Sequence, residues 1–199
     1  MLWRSPRWEE LTLWSLDLET GGLDPLRDAV LAVGMVPVRQ GRVMVGEGWS
    51  SLVRPGAGEL ISEGSIRAHQ LLPAEVERAP QAEEVLHEVD RRLREGVLLV
   101  HHASFDMPFL RRLYRRAGRR WPGPRVVDTV ALLLAMKRRD RFRDPEGAAP
   151  PVLNLAQARA RLGLPTYQAH DALADAVAAA ELFLVLARRL GARTLRDLR

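Results

Sequence analysis

Apolar residues either alternate with polar residues or run together in five short segments, and these patterns predict β-strands. The segment 29–38 is almost wholly apolar and Val97–Val100 is apolar throughout, as expected of buried strands. Gln40-Gly41 predicts a tight turn between the second and third strands, so that the first three strands form a meander. Strands are predicted at residues 11–19, 29–38, 42–53, 97–100 and 125–127.

Apolar positions recur at helical spacing in several later segments, which therefore predict amphipathic helices. Asp128-Thr129 is typical of a helix N-terminus, and Gly163 and Gly191 predict the ends of the last two helices. Residues 138–151 are polar and contain proline and glycine, so they predict a loop. Helices are predicted at residues 65–71, 80–95, 104–116, 128–138, 154–162 and 171–190.

This order of elements predicts an α/β fold with a mixed five-stranded sheet, a three-strand meander followed by two parallel strands, and helices on both faces. Pro37 favours an edge position or a strand end, because proline cannot donate to a sheet ladder. No repeat or linker divides residues 1–199, which predicts a single domain with its core at about residues 10–190.

The composition narrows the possible chemistry and partners. The chain has no cysteine, which excludes disulfides, thiolate metal sites and a cysteine nucleophile. Charged residues near Met1 and the absence of any apolar run of about 18 residues predict a cytoplasmic protein that does not enter a membrane. The net charge is +5, and nearly all the positive charge is arginine, with Lys137 the only lysine. Arginine matches phosphate geometry, so a polyanionic partner is favoured.

Asp17 and Glu19 lie two residues apart at the end of the first predicted strand, so both side chains point to the same face. Like charges at that separation repel each other, and a hard divalent cation such as Mg²⁺ or Mn²⁺ removes the repulsion. Taken alone, the pair fits two solvated acids on an edge strand equally well.

Two later segments carry further candidates. Asp106 follows the buried strand Val97–Val100, where open α/β sheets place their ligands, although it could also be a first-turn acid of a helix. Asp171 is a natural N-cap for the last long helix, and Asp175 lies in the first turns of that helix. His170 precedes the cap on a loop, which makes it a candidate acid–base group.

Read in order, these residues form D-x-E at 17 and 19, F-D at 105–106 and H-x-A-x-x-D at 170–175. The constellation resembles the DEDDh branch of the DnaQ-like 3′→5′ exonucleases over roughly residues 10–190. The segment from Asp17 to Pro25 matches the first motif of that family closely. The departures are Gly21 in place of a second threonine, His102 in place of the asparagine of H-N-A-x-F-D, and Ile66-Arg-Ala-His69 in place of I-H-G-I.

The resemblance implies a ribonuclease H-like fold and a two-metal site. Four carboxylates would hold two Mg²⁺ or Mn²⁺ ions, which neutralise their combined charge. His170 would take a proton from the attacking water, and a 5′-mononucleotide would leave a 3′ end. The implied metal ligands are Asp17, Glu19, Asp106 and Asp175.

The resemblance also suggests where the substrate binds. Leu23 matches a position that wedges against the terminal base, although a turn leucine in the core is an equal alternative. Thr20 and Gly21 are expected to offer backbone N–H groups to the 3′-terminal nucleotide. Phe105 is expected to pack beneath the site rather than to stack on a base. The remaining candidates for the pocket lining are His69 and His102, while His101 is expected to be structural.

The expected partner is nucleic acid with a free 3′ end, single-stranded DNA above all, with a DNA polymerase subunit as a possible second partner. An RNA exonuclease and a non-catalytic polymerase-accessory module remain alternatives. The chain ends at Arg199, soon after the last long helix, which favours a stand-alone enzyme. Arginines between residues 111 and 120 could track a phosphate backbone or form a solvated basic face.

Overall fold

A mixed β-sheet organises the structure, a computed structural model that describes residues 5–94, 96–143, 150–167 and 170–198. The sheet is built from β1 (Leu13–Thr20), β2 (Val30–Arg39), β3 (Arg42–Val43), β4 (Trp49–Leu52), β5 (Val97–Val100) and β6 (Val126–Asp128). Their order is β3-β2-β1-β5-β6, and β4 also pairs with β2. The β1–β5 and β5–β6 pairs are parallel, and the other pairs are antiparallel. The predicted mixed sheet is therefore confirmed.

The third predicted strand, residues 42–53, is wrong as a continuous element, because a 3-10 turn at Val45–Glu47 divides it into β3 and β4. Pro37 lies opposite this interruption, and its carbonyl accepts a hydrogen bond from the Met44 N–H at 2.9 Å. The N–H that proline lacks would fall on the same side, where no strand is paired. Pro37 therefore lies in a central strand, so the predicted edge position is wrong, but it lies near the end of β2, in keeping with the alternative of a strand end.

The turn between β2 and β3 is the tight hairpin that the sequence predicts. Gln40 and Gly41 both have positive φ, 50° and 72°, as a type I′ turn requires. Arg39 pairs with Arg42 across this turn.

Most predicted helices are confirmed, with shifts of a few residues at their ends. The helix beginning at Thr129 extends to Arg143, so the predicted loop at 138–151 is wrong up to that residue, and residues 144–149 lie outside the described part. Polarity alone does not exclude a helix, and Lys137–Arg143 has no proline or glycine and is rich in good helix formers. The helices are α1 (Glu63–His69), α2 (Pro73–Val76), α3 (Ala82–Leu93), α4 (Ala103–Arg116), α5 (Thr129–Arg143), α6 (Leu155–Arg161) and α7 (Ala172–Leu190).

Helices cover both faces of the sheet, as predicted. On one face α5, α6 and α7 pack on a core that contains Leu13 and Phe183. On the other face α3 and α4 pack on a core that contains Leu16, Phe109 and Tyr114. Leu13 and Leu16 pack into the cores on opposite faces, because strand side chains alternate between the two faces of the sheet. None of the helices in the described part has the length and apolar character to cross a membrane.

Candidate active site

Three carboxylates converge at the carboxyl end of β1. Asp17 and Glu19 project from the strand towards α7, and Asp175 projects from the first turns of α7. One carboxylate oxygen from each residue lies within 4.8 Å of the other two. Residues far apart in the sequence therefore present three hard oxygen ligands to one point.

Gly34 explains how α7 comes so close to these strands. It lies on β2 directly opposite Asp17 on β1. A Cβ built on Gly34 would overlap the backbone of Ala172, at the start of α7. The missing side chain lets the helix rest on the sheet and brings Asp175 to the β1 acids. Sequence reasoning did not single out Gly34, because a glycine within an apolar strand carries no chemical signal.

Asp106 lies beside this cluster, on the first turn of α4. Its side chain is 3% exposed, and its Oδ2 atom has no hydrogen-bond partner among the described residues. Burial raises the pKa of Asp106 well above its ordinary value, and the negative charges of Asp128 and Glu19 raise it further. Burying a carboxylate oxygen without a partner destabilises the folded chain unless a cation or a hydrogen-bond donor binds that oxygen.

The acids of the cluster all hold protons more tightly than ordinary carboxylates. Burial, followed by the charge of Asp106, raises the pKa of Asp17 well above its usual range. Burial, followed by the charge of Asp175, raises the pKa of Glu19 to about 7. Burial also raises the pKa of Asp175, against the hydrogen bond from the His170 N–H. The fold therefore brings negative charges together, and their repulsion lowers its stability. A divalent cation would offset this repulsion.

Asp128 fixes the start of α4, which carries Asp106. Its carboxylate accepts hydrogen bonds from the N–H groups of His102 at 3.0 Å and Ala103 at 3.1 Å. It also accepts the N–H of Val130 at 2.9 Å, which confirms the predicted N-cap of α5. One side chain thus joins the N-termini of two helices.

His170 is held next to the acids by its backbone. Its N–H donates to Asp175 Oδ2 at 2.8 Å, and the residue is exposed to the cleft. Its φ of 68° is a left-handed conformation that non-glycine residues seldom adopt, and such strain concentrates at functional sites. The predicted N-cap role of Asp171 is confirmed by its bond from the Ala174 N–H at 2.8 Å.

A cleft of about 710 Å³ opens in front of the acids. Leu23 is 82% exposed at its rim, which contradicts the alternative of a core leucine. Phe105 contacts Phe109, with ring centroids 5.2 Å apart, and also lines the cleft, so it combines packing with access to a ligand. Five of the six predicted substrate residues line this cleft: Thr20, Leu23, His69, His102 and Phe105.

Gly21 is the exception. Its N–H, predicted to be available to the substrate, instead donates to the Ala29 carbonyl at 2.7 Å. Its own carbonyl accepts the Ser62 N–H at 2.7 Å and the Ser65 hydroxyl at 2.9 Å. A Cβ at this position would overlap the Leu60 carbonyl oxygen, so the glycine serves the fit of residues 60–65 against β1.

His69 is 7% exposed at the end of α1 and faces the cleft. Its Nδ1 accepts the Leu71 N–H at 3.0 Å, so the neutral ring carries its proton on Nε2, which has no partner among the described residues. Burial, followed by the charge of His170, lowers the pKa of His69. Gln70 has a φ of 59°, a conformation that suits glycine.

His101 is structural, as expected. Its Nε2 donates to the Leu153 carbonyl at 2.8 Å, and its Nδ1 then accepts the Thr129 hydroxyl at 2.7 Å. Burial lowers the pKa of His101, which favours this neutral form. The ring thereby ties the cleft wall at Leu153 to the start of α5.

Two of the arginines on α4 form ion pairs within the chain. Arg112 and Arg116 both pair with Glu59, at 3.2 Å and 2.9 Å. Arg112 also donates to the carbonyls of Pro25 and Asp28, on the loop that presents Leu23. Arg112 therefore connects α4 to this loop.

A mixed sheet of this order with helices on both faces is a ribonuclease H-like fold, and carboxylates gather here at the end of its first strand. Residues 15–183 match the family model described as "Exonuclease", and the chain belongs to that exonuclease family. The family depends on divalent metal ions, and the carboxylate cluster provides a place for such an ion.

The relatives are longer proteins. A DNA polymerase III subunit epsilon-like protein of Rhodobacter capsulatus is 35% identical over 188 residues, which cover 94% of this chain and 25% of that protein. A PolC-type DNA polymerase III of Thermotoga petrophila is 29% identical over 177 residues, which cover 88% of this chain and 12% of that protein. The chain thus spans a quarter or less of the length of these curated relatives.

Solved structures show the same fold. E. coli exonuclease I in complex with a dT13 oligonucleotide matches with a TM-score of 0.76 at 21% identity, over 91% of this chain and 42% of that chain. A moderately thermophilic exonuclease I from Methylocaldum szegediense matches with a TM-score of 0.75 at 22% identity, over 92% of this chain and 41% of that chain.

Proposed function

We propose that this chain removes nucleotides from the 3′ end of nucleic acid and releases 5′-mononucleotides. The convergence of Asp17, Glu19 and Asp175 within 4.8 Å, beside the buried Asp106, carries this proposal. Such a cluster has no evident use in a binding module, because its charge repulsion works against folding.

The residues fit two divalent cations. Four carboxylates supply hard oxygen ligands with a total charge of −4, and Asp106 Oδ2 is buried without a partner in the described part. When bound, Mg²⁺ or Mn²⁺ would stabilise the charge that develops on the attacking and leaving oxygens. The residues proposed to hold the cations are Asp17, Glu19, Asp106 and Asp175.

His170 is the proposed general base. It lines the cleft beside Asp175 and is exposed, so its ring can reach a water molecule there. Accepting the proton of the attacking water would leave His170 cationic, and the neighbouring carboxylates would stabilise that charge. The backbone bond from His170 to Asp175 leaves its ring free for this role.

The cleft residues would hold the terminal nucleotide. The exposed Leu23 side chain offers an apolar edge on which a terminal base can pack, and Phe105 offers a second apolar contact. The unpartnered Nε2–H of His69 is a donor for a sugar or phosphate oxygen. His102 and Thr20 complete the proposed contacts.

Single-stranded DNA is the proposed substrate, supported by the shared fold with exonuclease I, whose structure contains a DNA oligonucleotide. A DNA polymerase is a proposed partner, supported by relatives named for DNA polymerase III. The cytoplasm is the proposed compartment, in keeping with a chain without cysteine.

The proposal is tested by incubating the protein with single-stranded DNA, mismatched duplex DNA and short RNA, each labelled at the 3′ end, in Mn²⁺ and in EDTA. We expect loss of label in Mn²⁺ only, and fastest from single-stranded DNA. Faster loss of label from short RNA would show that RNA, and not DNA, is the preferred substrate. No cleavage in Mn²⁺ would contradict the proposal and favour an accessory module.

A further inference from the structure

Arg159 is a buried, positively charged residue that lies outside the cluster of Asp17, Glu19 and Asp175. It lies in the last turn of α6 and is 3% exposed. Its guanidinium donates to the Ala178 carbonyl of α7 at 2.6 Å and to Glu181 Oε2 at 2.8 Å. A third bond runs to the Pro165 carbonyl at 2.9 Å. A buried arginine needs such partners to offset its desolvation, and here they come from two parts of the chain, α7 and the segment that contains Pro165.

Tyr167 adds an aromatic contact to the same group. The guanidinium carbon of Arg159 lies 4.8 Å from the centre of the Tyr167 ring. The Tyr167 hydroxyl donates to Glu181 Oε1 at 3.0 Å, so that the two oxygens of one carboxylate hold the tyrosine and the arginine. We call Arg159, Tyr167 and Glu181 the clamp. It fastens Pro165 and Tyr167 to the side of α7.

The clamp is close to His170 in the chain and close to Asp175 on the helix. Tyr167 precedes His170 by three residues, and Glu181 follows Asp175 by six residues, less than two helical turns. Arg159 is near enough for its charge to act on Asp175. The bond from the His170 N–H to Asp175 therefore holds His170 from one side, and the clamp holds Tyr167, three residues before it.

His170 needs support of this kind. Its φ of 68° is a left-handed conformation that a histidine does not favour by itself. The backbone keeps such a conformation only when its surroundings impose it. A general base must also stay within hydrogen-bond reach of its water, and a small displacement is enough to slow catalysis.

We propose that Arg159 and Tyr167 are positioning residues for His170, and that the clamp holds the His170 backbone in the conformation that the reaction uses. The proposal rests on the proposed role of His170 as general base. It differs from a purely structural role for the clamp, which would join α6 to α7 without any effect on His170.

The first test replaces Tyr167, which is 43% exposed and can therefore be changed without opening the core. Tyr167→Ala removes the ring and the hydroxyl, whereas Tyr167→Phe removes only the hydroxyl. Phe142→Ala is the matched control, because Phe142 is 90% exposed on α5 and outside the clamp. The measurements are hydrogen exchange at the His170 amide, the affinity for Mn²⁺, and kcat and KM on a single-stranded DNA oligonucleotide.

In Tyr167→Ala we expect faster exchange at His170 and a fall in kcat of about ten- to a hundredfold. KM and the Mn²⁺ affinity should stay within about twofold, because the carboxylates do not depend on the clamp for their positions. Tyr167→Phe should recover much of the lost kcat, since it keeps the ring on Arg159. Phe142→Ala should match the wild type in every measurement.

Glu181→Gln supplies an independent variant, since it keeps the shape of the side chain and removes its charge. It should shift exchange at His170 in the same direction as Tyr167→Ala. Unchanged exchange at His170 in both variants would overturn the proposal, whether or not the wild type is active. Faster exchange with unchanged kcat would overturn it as well, because His170 would then tolerate the loss of the clamp. A wild type that cleaves nothing would contradict the proposed function itself, while the exchange data would still show whether the clamp holds His170.

Discussion

Gly34 on β2 and Ala172 at the start of α7 meet backbone to backbone, with no room for a side chain between them. Asp17 pairs with Gly34 in the sheet, and Asp175 lies one turn beyond Ala172 on the helix. The closeness of two carboxylates from opposite ends of the chain thus depends on a glycine that carries no functional group.

Gly34→Ala should therefore disturb the acidic cluster. The added methyl group has to displace the start of α7, and overpacking of this kind lowers the free energy of unfolding by about 1–3 kcal/mol. We expect chemical denaturation to show that loss and titration calorimetry to show weaker Mn²⁺ binding. Gly46→Ala is the control, because open space surrounds that position. Normal Mn²⁺ affinity in Gly34→Ala would show that α7 does not need this contact.

The raised pKa of Glu19 makes the metal-free protein sensitive to pH. Its pKa is about 7 in the folded chain and 4.5 for an ordinary glutamate, so between these values the folded chain binds more protons than the unfolded chain. The free energy of unfolding must then fall as the pH rises from 4.5 to 7. Glu19→Gln removes this pH-dependent decrease in stability. At pH 8 without metal, its free energy of unfolding should therefore exceed that of the wild type by about 1–3 kcal/mol.

Thermal melting of the metal-free proteins at pH 4.5 and pH 8 checks this prediction. The two proteins should melt alike at pH 4.5, where Glu19 is protonated and resembles glutamine. Mn²⁺ at pH 8 should reverse the order, since the wild type gains more from binding. Glu83→Gln, at an exposed acid on α3 outside the cluster, is the matched control. A less stable Glu19→Gln protein at pH 8 without metal would contradict the raised pKa.

Glu59 should be important for stability and for the Leu23 loop. It pairs with Arg112, and their side chains are only 6% and 11% exposed. Glu59→Gln leaves the guanidinium buried without its counter-charge, so the free energy of unfolding should fall by about 3 kcal/mol. Glu63→Gln is the matched control, because its pair with Arg67 is fully on the surface and should not contribute measurably. Urea denaturation distinguishes the two, and equal stability would refute the structural role of Glu59.

His170→Asn should separate proton transfer from metal binding. Asparagine tolerates the left-handed backbone at this position, so the bond to Asp175 can persist. We expect kcat to fall by about 10²- to 10⁴-fold while calorimetry gives an unchanged Mn²⁺ affinity. Gln40→Asn, another left-handed residue but in a surface turn, is the control. Activity near that of the wild type in His170→Asn would exclude it as the base.

The features that could be predicted from the sequence are those that depend on residues near one another in the chain. The acids could be located because motif spacing is read along the chain, and the hairpin at Gln40-Gly41 because turn residues act locally. The features that it did not reveal depend on contacts between distant segments. The roles of Gly34 and Arg159 can be seen only once α7 packs against its neighbours. The hydrogen bonds to the Gly21 carbonyl likewise depend on residues 60–65.

The most direct test of the central claim follows a 5′-labelled single-stranded DNA oligonucleotide in Mn²⁺ and identifies the first products by mass spectrometry. Wild-type protein should shorten the labelled strand stepwise from its 3′ end and release unlabelled 5′-mononucleotides, and Asp17→Asn should release none. Glu83→Gln should behave as the wild type. Undiminished release by Asp17→Asn, or release of the 5′ label first, would contradict the claim that these acids form a 3′→5′ exonuclease site.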